Sequence, residues 1–182
     1  NAGDGFTTGI DNVAVGASAL SAANAGNRSV AIGKQALNAQ NAGSAGQNMY
    51  NVAVGYVAGS NVTTGVQNTL IGAHAGDALT TASYNTALGY TSLGAEIAGD
   101  ANVAVGFGAM SSTDNARANV AIGFNALTTL DYSSLTYSHN IGIGFEAGKL
   151  MTTATRNTII GGQAGDAITT GGNNVALGYS SL

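Results

Sequence analysis

Apolar and small residues alternate in a five-residue pattern that recurs ten times along the chain. The second position is Val, Thr or Ile, the fourth is Val, Ile or Leu, and the fifth is always Gly. A period of two with β-branched residues predicts a short strand, and we expect positions two and four to form its buried face. The first two pentads are Asn12-Val-Ala-Val-Gly16 and Ser29-Val-Ala-Ile-Gly33.

The spacing of the pentads shows that the whole chain, residues 1–182, is one repeat array. Successive closing glycines are 17 residues apart except for two larger steps of 22 and 21 residues, which indicate two insertions. The residue type four positions after each closing Gly changes along the chain in an order that recurs after five units. The array therefore divides into two five-unit blocks, residues 1–93 and 94–182.

The repeat length and residue types favour an all-β, parallel β-solenoid (β-roll) of about ten coils. Each complete 17-residue unit holds at least two Gly and a β-branched cluster, which disfavours helix. A small residue, Ala or Ser, stands three positions after every pentad, which predicts a narrow interior. If coils stack at about 4.8 Å, ten of them form a rod about 48 Å long.

Asn and Gly at fixed pentad positions predict a structural ladder. Position one is Asn in nine units, so we expect its side-chain amides to stack from coil to coil. A polar strip that binds a ligand is the alternative. The asparagines are Asn12, Asn51, Asn68, Asn85, Asn102, Asn119, Asn140, Asn157 and Asn174. The glycines are Gly16, Gly33, Gly55, Gly72, Gly89, Gly106, Gly123, Gly144, Gly161 and Gly178.

These pentads resemble the head repeats of trimeric autotransporter adhesins of the YadA type, and Ser29-Val-Ala-Ile-Gly33 and Asn119-Val-Ala-Ile-Gly123 carry the resemblance. The string from Asn85 to Tyr90 is also similar to repeats of phage-type tail fibre shafts. The resemblance implies a left-handed β-roll, a homotrimer packed around an apolar axis, and a location outside the cell, on a cell surface or in a virion fibre.

Composition excludes several functions. The chain has 182 residues, no Cys, 8% charged residues and a net charge of −4, and its five cations are scattered. A nucleic-acid partner and thiol chemistry are therefore not expected. The longest apolar runs are too short for membrane insertion. The chain begins at Asn1 without a signal-peptide pattern, and we interpret it as part of a longer protein.

Candidate catalytic chemistry is weak. His74 is replaced by Gln163 at the equivalent place in the second block, which favours a turn residue over a catalytic base. Asp77 and Asp166 follow Gly in equivalent turns, where an Asp most often binds its own turn backbone. A cation site is the alternative, but no carboxylate partner recurs beside either residue. We therefore expect no catalytic residue, no metal, no cofactor and no enzyme activity.

Binding candidates lie in the insertions and in a row of aromatic residues. The inserted segments, residues 38–49 and 128–138, are loops on a rigid scaffold, which often carry recognition. In the second segment the candidates are Leu130, Tyr132, Leu135 and Tyr137. Aromatic residues directly follow six pentads and either pack or form a sugar-stacking strip. They are Tyr56, Tyr90, Phe107, Phe124, Phe145 and Tyr179.

Three functions are consistent with these features. The first is a non-enzymatic extracellular fibre or adhesin segment that self-associates and attaches to a host-surface protein or glycan. The second is a purely structural filament or tail-fibre shaft with no ligand in this segment. The third is ice binding by regular Thr or Asn rows, which thermal hysteresis would reveal.

Overall fold

The computed structural model describes residues 1–22 and 25–182, and in this part of the chain there is no helix. Each coil contributes one three-residue strand to a ten-stranded parallel sheet, and two further strands form a separate parallel pair. The strands are β1 (Val13–Val15), β2 (Val30–Ile32), β3 (Val52–Val54), β4 (Thr69–Ile71), β5 (Thr86–Leu88), β6 (Val103–Val105), β7 (Asp114–Arg117), β8 (Val120–Ile122), β9 (Asp131–Tyr137), β10 (Ile141–Ile143), β11 (Thr158–Ile160) and β12 (Val175–Leu177).

The register of the sheet follows the pentads. Val13 pairs with Val30, and Val30 pairs with Val52, so each pentad position lies over the same position of the next coil. The strand order is the chain order, with β7 and β9 set aside in their own sheet. The predicted all-β, parallel solenoid of about ten coils is confirmed. We number the coils 1 to 10 after the pentad that each contains.

The faces of the strands are the reverse of the prediction. Position three points inward, as at Ala31, which is 0% exposed, whereas the neighbouring position four, Ile32, is 40% exposed. Val13 and Val15, at positions two and four of β1, are also exposed. The prediction that positions two and four form the buried face is therefore wrong, because the narrow coil admits mainly Ala at the inward position.

The core is a single column of small and medium side chains along the rod. It holds the position-three residues, the Ala or Ser three positions after each pentad, and residues four and seven positions after it. Where the residue four positions after the pentad is Gly, position three can be large. An added Cβ at Gly76 would lie 2.8 Å from Leu70 Cδ2, and Ile159 similarly fills the space beside Gly165. The predicted narrow interior is confirmed.

A tight turn follows each strand and is hydrogen-bonded from coil to coil. In coil 2, Gly33 has φ +135°, and the second and fourth residues after it, Gln35 and Leu37, have φ of 60° and 47°. The Gln35 N–H donates to the Ala17 carbonyl (2.8 Å), one coil below. A Cβ at Gly33 would lie 2.2 Å from the carbonyl oxygen of the next pentad Gly, so only Gly fits between stacked coils.

Candidate functional surfaces

The asparagines at position one connect adjacent coils, and all but Asn12 and Asn174, at the two ends of the array, are buried. Asn68 Oδ1 accepts the backbone N–H of Asn85 (3.0 Å), and Asn68 Nδ2 donates to the carbonyl of Ala82 (2.9 Å). The same two bonds recur at Asn51, whose Oδ1 accepts the Asn68 N–H and whose Nδ2 donates to the Gly65 carbonyl. Because these carboxamides are engaged on both sides and shielded from solvent, they hold the coils together and offer no exposed row of donors.

The first insertion compensates for the one unit that lacks Asn. Coil 2 has Ser29 at position one, and Gln40, at the start of the inserted segment, is fully buried beside it. Gln40 Oε1 accepts hydrogen bonds from the Ser29 hydroxyl (3.2 Å) and from Asn51 Nδ2 (2.9 Å). Only the tip around Gly43 and Gly46 projects into open space. Most of this loop therefore completes the scaffold.

The second insertion is a bulge in β9. Of the four predicted binding residues in this segment, two are buried and two are exposed. β9 pairs with β7, and their register shifts where the extra residues enter. Leu130 and Tyr132 are buried in the core, so the prediction that they form a binding surface is wrong. The Tyr132 hydroxyl donates to the Ala154 carbonyl (2.5 Å), and burial raises the pKa of Tyr132.

The other two predicted residues of this insertion lie on the surface. Leu135 is exposed, and Tyr137 is 61% exposed. The Tyr137 ring stacks on His139 with ring centroids 5.8 Å apart, and the Arg117 guanidinium lies 5.4 Å from its centre. Arg117 in turn pairs with Asp100 (2.9 Å). This cluster is a small patch held on the side of the rod.

The aromatic residues that follow the pentads form a stacked column on the outside of the solenoid. Tyr90, Phe107, Phe124 and Phe145 stack face to face, with centroids 5.2 to 5.4 Å apart and interplanar angles of 20° or less. Each ring is about half exposed, because neighbouring rings cover its faces and its edge points to solvent. A sugar can therefore stack only where a face is left open.

The column has two gaps, at equivalent coils of the two blocks. In coil 4 the column position is Ala73, and His74 fills the gap with its ring edge between Tyr56 (5.3 Å) and Tyr90 (6.0 Å). His74 Nδ1 lies 2.8 Å from Asp77 Oδ2. The turn pattern does not predict this role of His74. The small Ala73, which leaves room for the following side chain, is the available signal.

In coil 9 the column position is Gly162, and no ring fills the gap. Tyr179 leans toward it from coil 10, and its hydroxyl donates to Gln163 Oε1 (2.8 Å). Beside Gln163 lies a cavity of about 200 Å³. Its lining residues are Glu146, Lys149, Leu150, Gln163 and Asp166. The predicted turn residue Asp166 thus lies next to the open gap.

A buried carboxylate, Glu96, is a feature that the sequence analysis did not identify. Its Oε1 accepts the backbone N–H groups of Gly99 (2.6 Å), Ala98 (3.3 Å) and Asn115 (3.0 Å), and its Oε2 accepts that of Ala116 (3.1 Å). Burial raises the pKa of Glu96, and these hydrogen bonds oppose the rise. It stands at the junction of the two five-coil blocks, where it joins two adjacent coils.

The described residues contain no group of three or more His, Cys, Asp or Glu side chains that could hold a metal ion. Within the same residues no helix is long and apolar enough to cross a membrane. Comparison of the chain with protein-family models, with curated proteins and with solved structures finds no match.

Proposed function

We propose that this chain is a non-enzymatic segment of an extracellular fibre or adhesin, a rod whose copies associate side by side as a homotrimer and carry a surface for attachment. The observation that carries the proposal is the outward apolar face of the sheet. Val, Ile, Leu and Thr at positions two and four form two continuous columns along all ten coils, and seven of these twenty side chains are exposed while the others are half-buried.

The dimensions of this face support self-association. Side chains two residues apart on a strand are about 6.6 Å apart, so two columns along a rod of about 48 Å form a strip of roughly 300 Å². A contiguous apolar patch of this size on a single chain is often functional. Because every coil presents the same face, parallel copies of the chain cover it in register. The number of three follows from the resemblance to trimeric adhesin repeats.

The mass in solution tests the association. We expect sedimentation equilibrium to give three times the chain mass of 17.8 kDa. The double variant Val105→Glu with Ile122→Glu places charges on the outward columns of coils 6 and 7, and it should be monomeric because a desolvated carboxylate is costly. The control Ala95→Glu with Thr153→Glu adds the same charges at exposed sites elsewhere and should remain a trimer. A monomeric wild-type chain would contradict the proposal.

A purely structural filament or tail-fibre shaft with no ligand is the second candidate. It is favoured by the burial of Leu130 and Tyr132 and by the mutual covering of most rings in the column. The variant Leu135→Ala with Tyr137→Ala separates the adhesin proposal from the shaft alternative, since both side chains are exposed. Under the adhesin proposal it weakens binding to cells, and under the shaft alternative wild type and variant both fail to bind.

A further inference from the structure

We propose that the open gap of the aromatic column in coil 9 binds one neutral pyranose ring, which stacks on Phe145 and is held by polar side chains of the adjacent cavity. The inference rests on the attachment role proposed above and assigns a place and a ligand class to it. Three features of this region support it: one uncovered ring face, a column position without a side chain and a polar cavity beside it.

Phe145 is the one ring of the stacked run with a face that no other described ring covers. Phe107 is covered on both sides, by Tyr90 and Phe124, and Phe124 is covered by Phe107 and Phe145. Phe145 is stacked on Phe124 alone. The C–H groups on one face of a pyranose pack flat against such a ring and gain dispersion and apolar burial.

The column position of coil 9, which carries no side chain of its own, gives the space for a ring once Tyr179 moves aside. Coil 9 carries Gly162 where coils 8 and 10 carry Phe145 and Tyr179. Two coil steps of about 4.8 Å separate those residues, which is more than a stacked pair of rings requires. Tyr179 leans into this space, but it is 78% exposed and is held there by one hydrogen bond to Gln163, so its side chain can rotate away when that bond is exchanged.

The cavity next to the gap supplies hydrogen-bonding groups. Gln163 belongs to the gap and to the cavity. It lines the cavity, and its Oε1 accepts a hydrogen bond from the Tyr179 hydroxyl. Glu146 and Lys149 pair across 2.6 Å, and Asp166 adds a second carboxylate. Carboxylate, amide and ammonium groups together accept from and donate to sugar hydroxyls. With two carboxylates against one ammonium, the site disfavours an anionic sugar.

Coil 4 provides an internal comparison, because there the equivalent gap in the aromatic column is filled. It lies 89 residues earlier, its column position is Ala73, and the gap is filled by the His74 ring. Asp77 holds that ring in place. In coil 9 the residue equivalent to His74 is Gln163, which has no ring. The substitution Gln163→His should therefore close the coil 9 gap, with Asp166 in the role of Asp77.

Saturation-transfer NMR on the whole chain tests the proposal with glucose, galactose, mannose, N-acetylglucosamine and N-acetylneuraminic acid, each at about 10 mM, the range suited to one ring's contacts. We expect transfer to at least one neutral sugar and none to the anionic one. Phe145→Leu should reduce the transfer at least about tenfold, because the aromatic ring on which the sugar stacks is lost. Gln163→His should do the same by closing the gap.

Phe124→Leu is the matched control, since it makes the same change one coil below, in a ring covered on both faces. It should keep the sugar signal. No transfer to any neutral sugar, transfer to the anionic sugar alone, or an equal loss in Phe124→Leu would overturn the proposal. Sedimentation of the same samples separates the two proposals. A trimer without sugar binding overturns only the sugar site, and a monomer that binds sugar overturns only the self-association.

Discussion

Coils 4 and 9 share their interior and differ on their surface. Residues 71–81 and 160–170 are eleven-residue segments that differ at three positions. One difference is inward and conservative, Leu79 against Ile168. The other two are the adjacent surface positions, Ala73 and His74 against Gly162 and Gln163. The interior is fixed by the small volume of the coil, whereas two surface residues decide whether the aromatic column is continuous or open.

The difference also changes the charges on the surface. In coil 4, Asp77 is paired with His74, but in coil 9 Gln163 interacts with Tyr179 instead. Among the described residues no ion pair is formed by Asp166, which faces the cavity. One pair of substitutions therefore both opens a ring face and frees a carboxylate beside it. The scaffold allows such exchange because neither position contributes to the core.

The largest expected effect tests whether the backbone stacking is the same in the two coils. Gly72→Ala and Gly161→Ala would each place a Cβ about 2.4 Å from the next coil's Gly carbonyl oxygen. We expect both to lose about 4 kcal/mol or more of unfolding free energy, from this clash and from the positive φ. Urea unfolding measures the loss.

Gly178→Ala is the control for this prediction. Its φ of +119° also disfavours Ala, but no atom lies within 4 Å of the added Cβ. It should therefore cost only about 1–2 kcal/mol, the cost of the backbone conformation alone. If all three variants lost the same stability, close packing between coils would not be the reason for the glycines.

The position and register of the strands could be predicted from the sequence, but the inward face could not. Ten pentads at a fixed spacing determine which residues lie over one another, as Val13 over Val30. A period of two gives two faces without saying which is inside. Because large apolar residues are usually buried, the pattern predicts that the branched residues point inward. The coil is too narrow for them there, so Ala is buried and Val is exposed.

The burial of the second insertion was also missed, although the spacing contains the information. Leu130 stands seven residues after Gly123, the place that Leu79 holds after Gly72, so it continues the interior column. The insertion enters β9 only after Tyr132. The open face of Phe145, in contrast, depends on how Tyr179 and Gln163 orient, and no residue pattern specifies that.

The second prediction tests whether the interiors of coils 4 and 9 are equally full. A Cβ at Gly76 would meet Leu70 and Leu79 at 2.8 Å, whereas at Gly165 the closest contact, with Ile159, is 3.1 Å. Gly76→Ala should cost about 2–3 kcal/mol, and Gly165→Ala about 1 kcal/mol less, because the longer contacts need less adjustment. Chemical denaturation of both variants gives the difference.

A double variant shows whether the limited interior volume causes the loss of stability. Leu70→Ala with Gly76→Leu reproduces the Ala and Leu combination of coils 1, 2 and 5. It should be more stable than either single variant, with a coupling of about 1–3 kcal/mol. Additive losses would mean that the two positions do not share one space.

The third prediction extends the comparison to coil 5, where Glu96 replaces Leu79 of coil 4 at the interior position. Because burial raises the folded-state pKa of Glu96, the folded protein binds more protons than the unfolded chain between the two pKa values. Stability is then highest below the unfolded pKa and falls as pH rises through the folded one. Urea unfolding between about pH 4 and 8 measures this fall.

Glu96→Gln provides the control for the pH dependence. It removes the ionisable group and retains one carbonyl acceptor for the backbone N–H groups, so this part of the pH profile should disappear. A profile that is identical in the variant would assign the dependence to other carboxylates of the chain.

The smallest expected effect concerns the carboxylates that distinguish the two surfaces. Asp77→Asn weakens the contact with His74, and both side chains are partly exposed, so the loss should be about 0.5 kcal/mol. Asp166→Asn removes a carboxylate that has no such partner, and stability should be unchanged within about 0.3 kcal/mol. Thermal unfolding at low and high salt measures both, since salt screens the His74 contact. An equal loss in the two variants would show that Asp77 acts through its turn backbone. The His74 ring in coil 4 would then be held by its contacts with Tyr56 and Tyr90 alone.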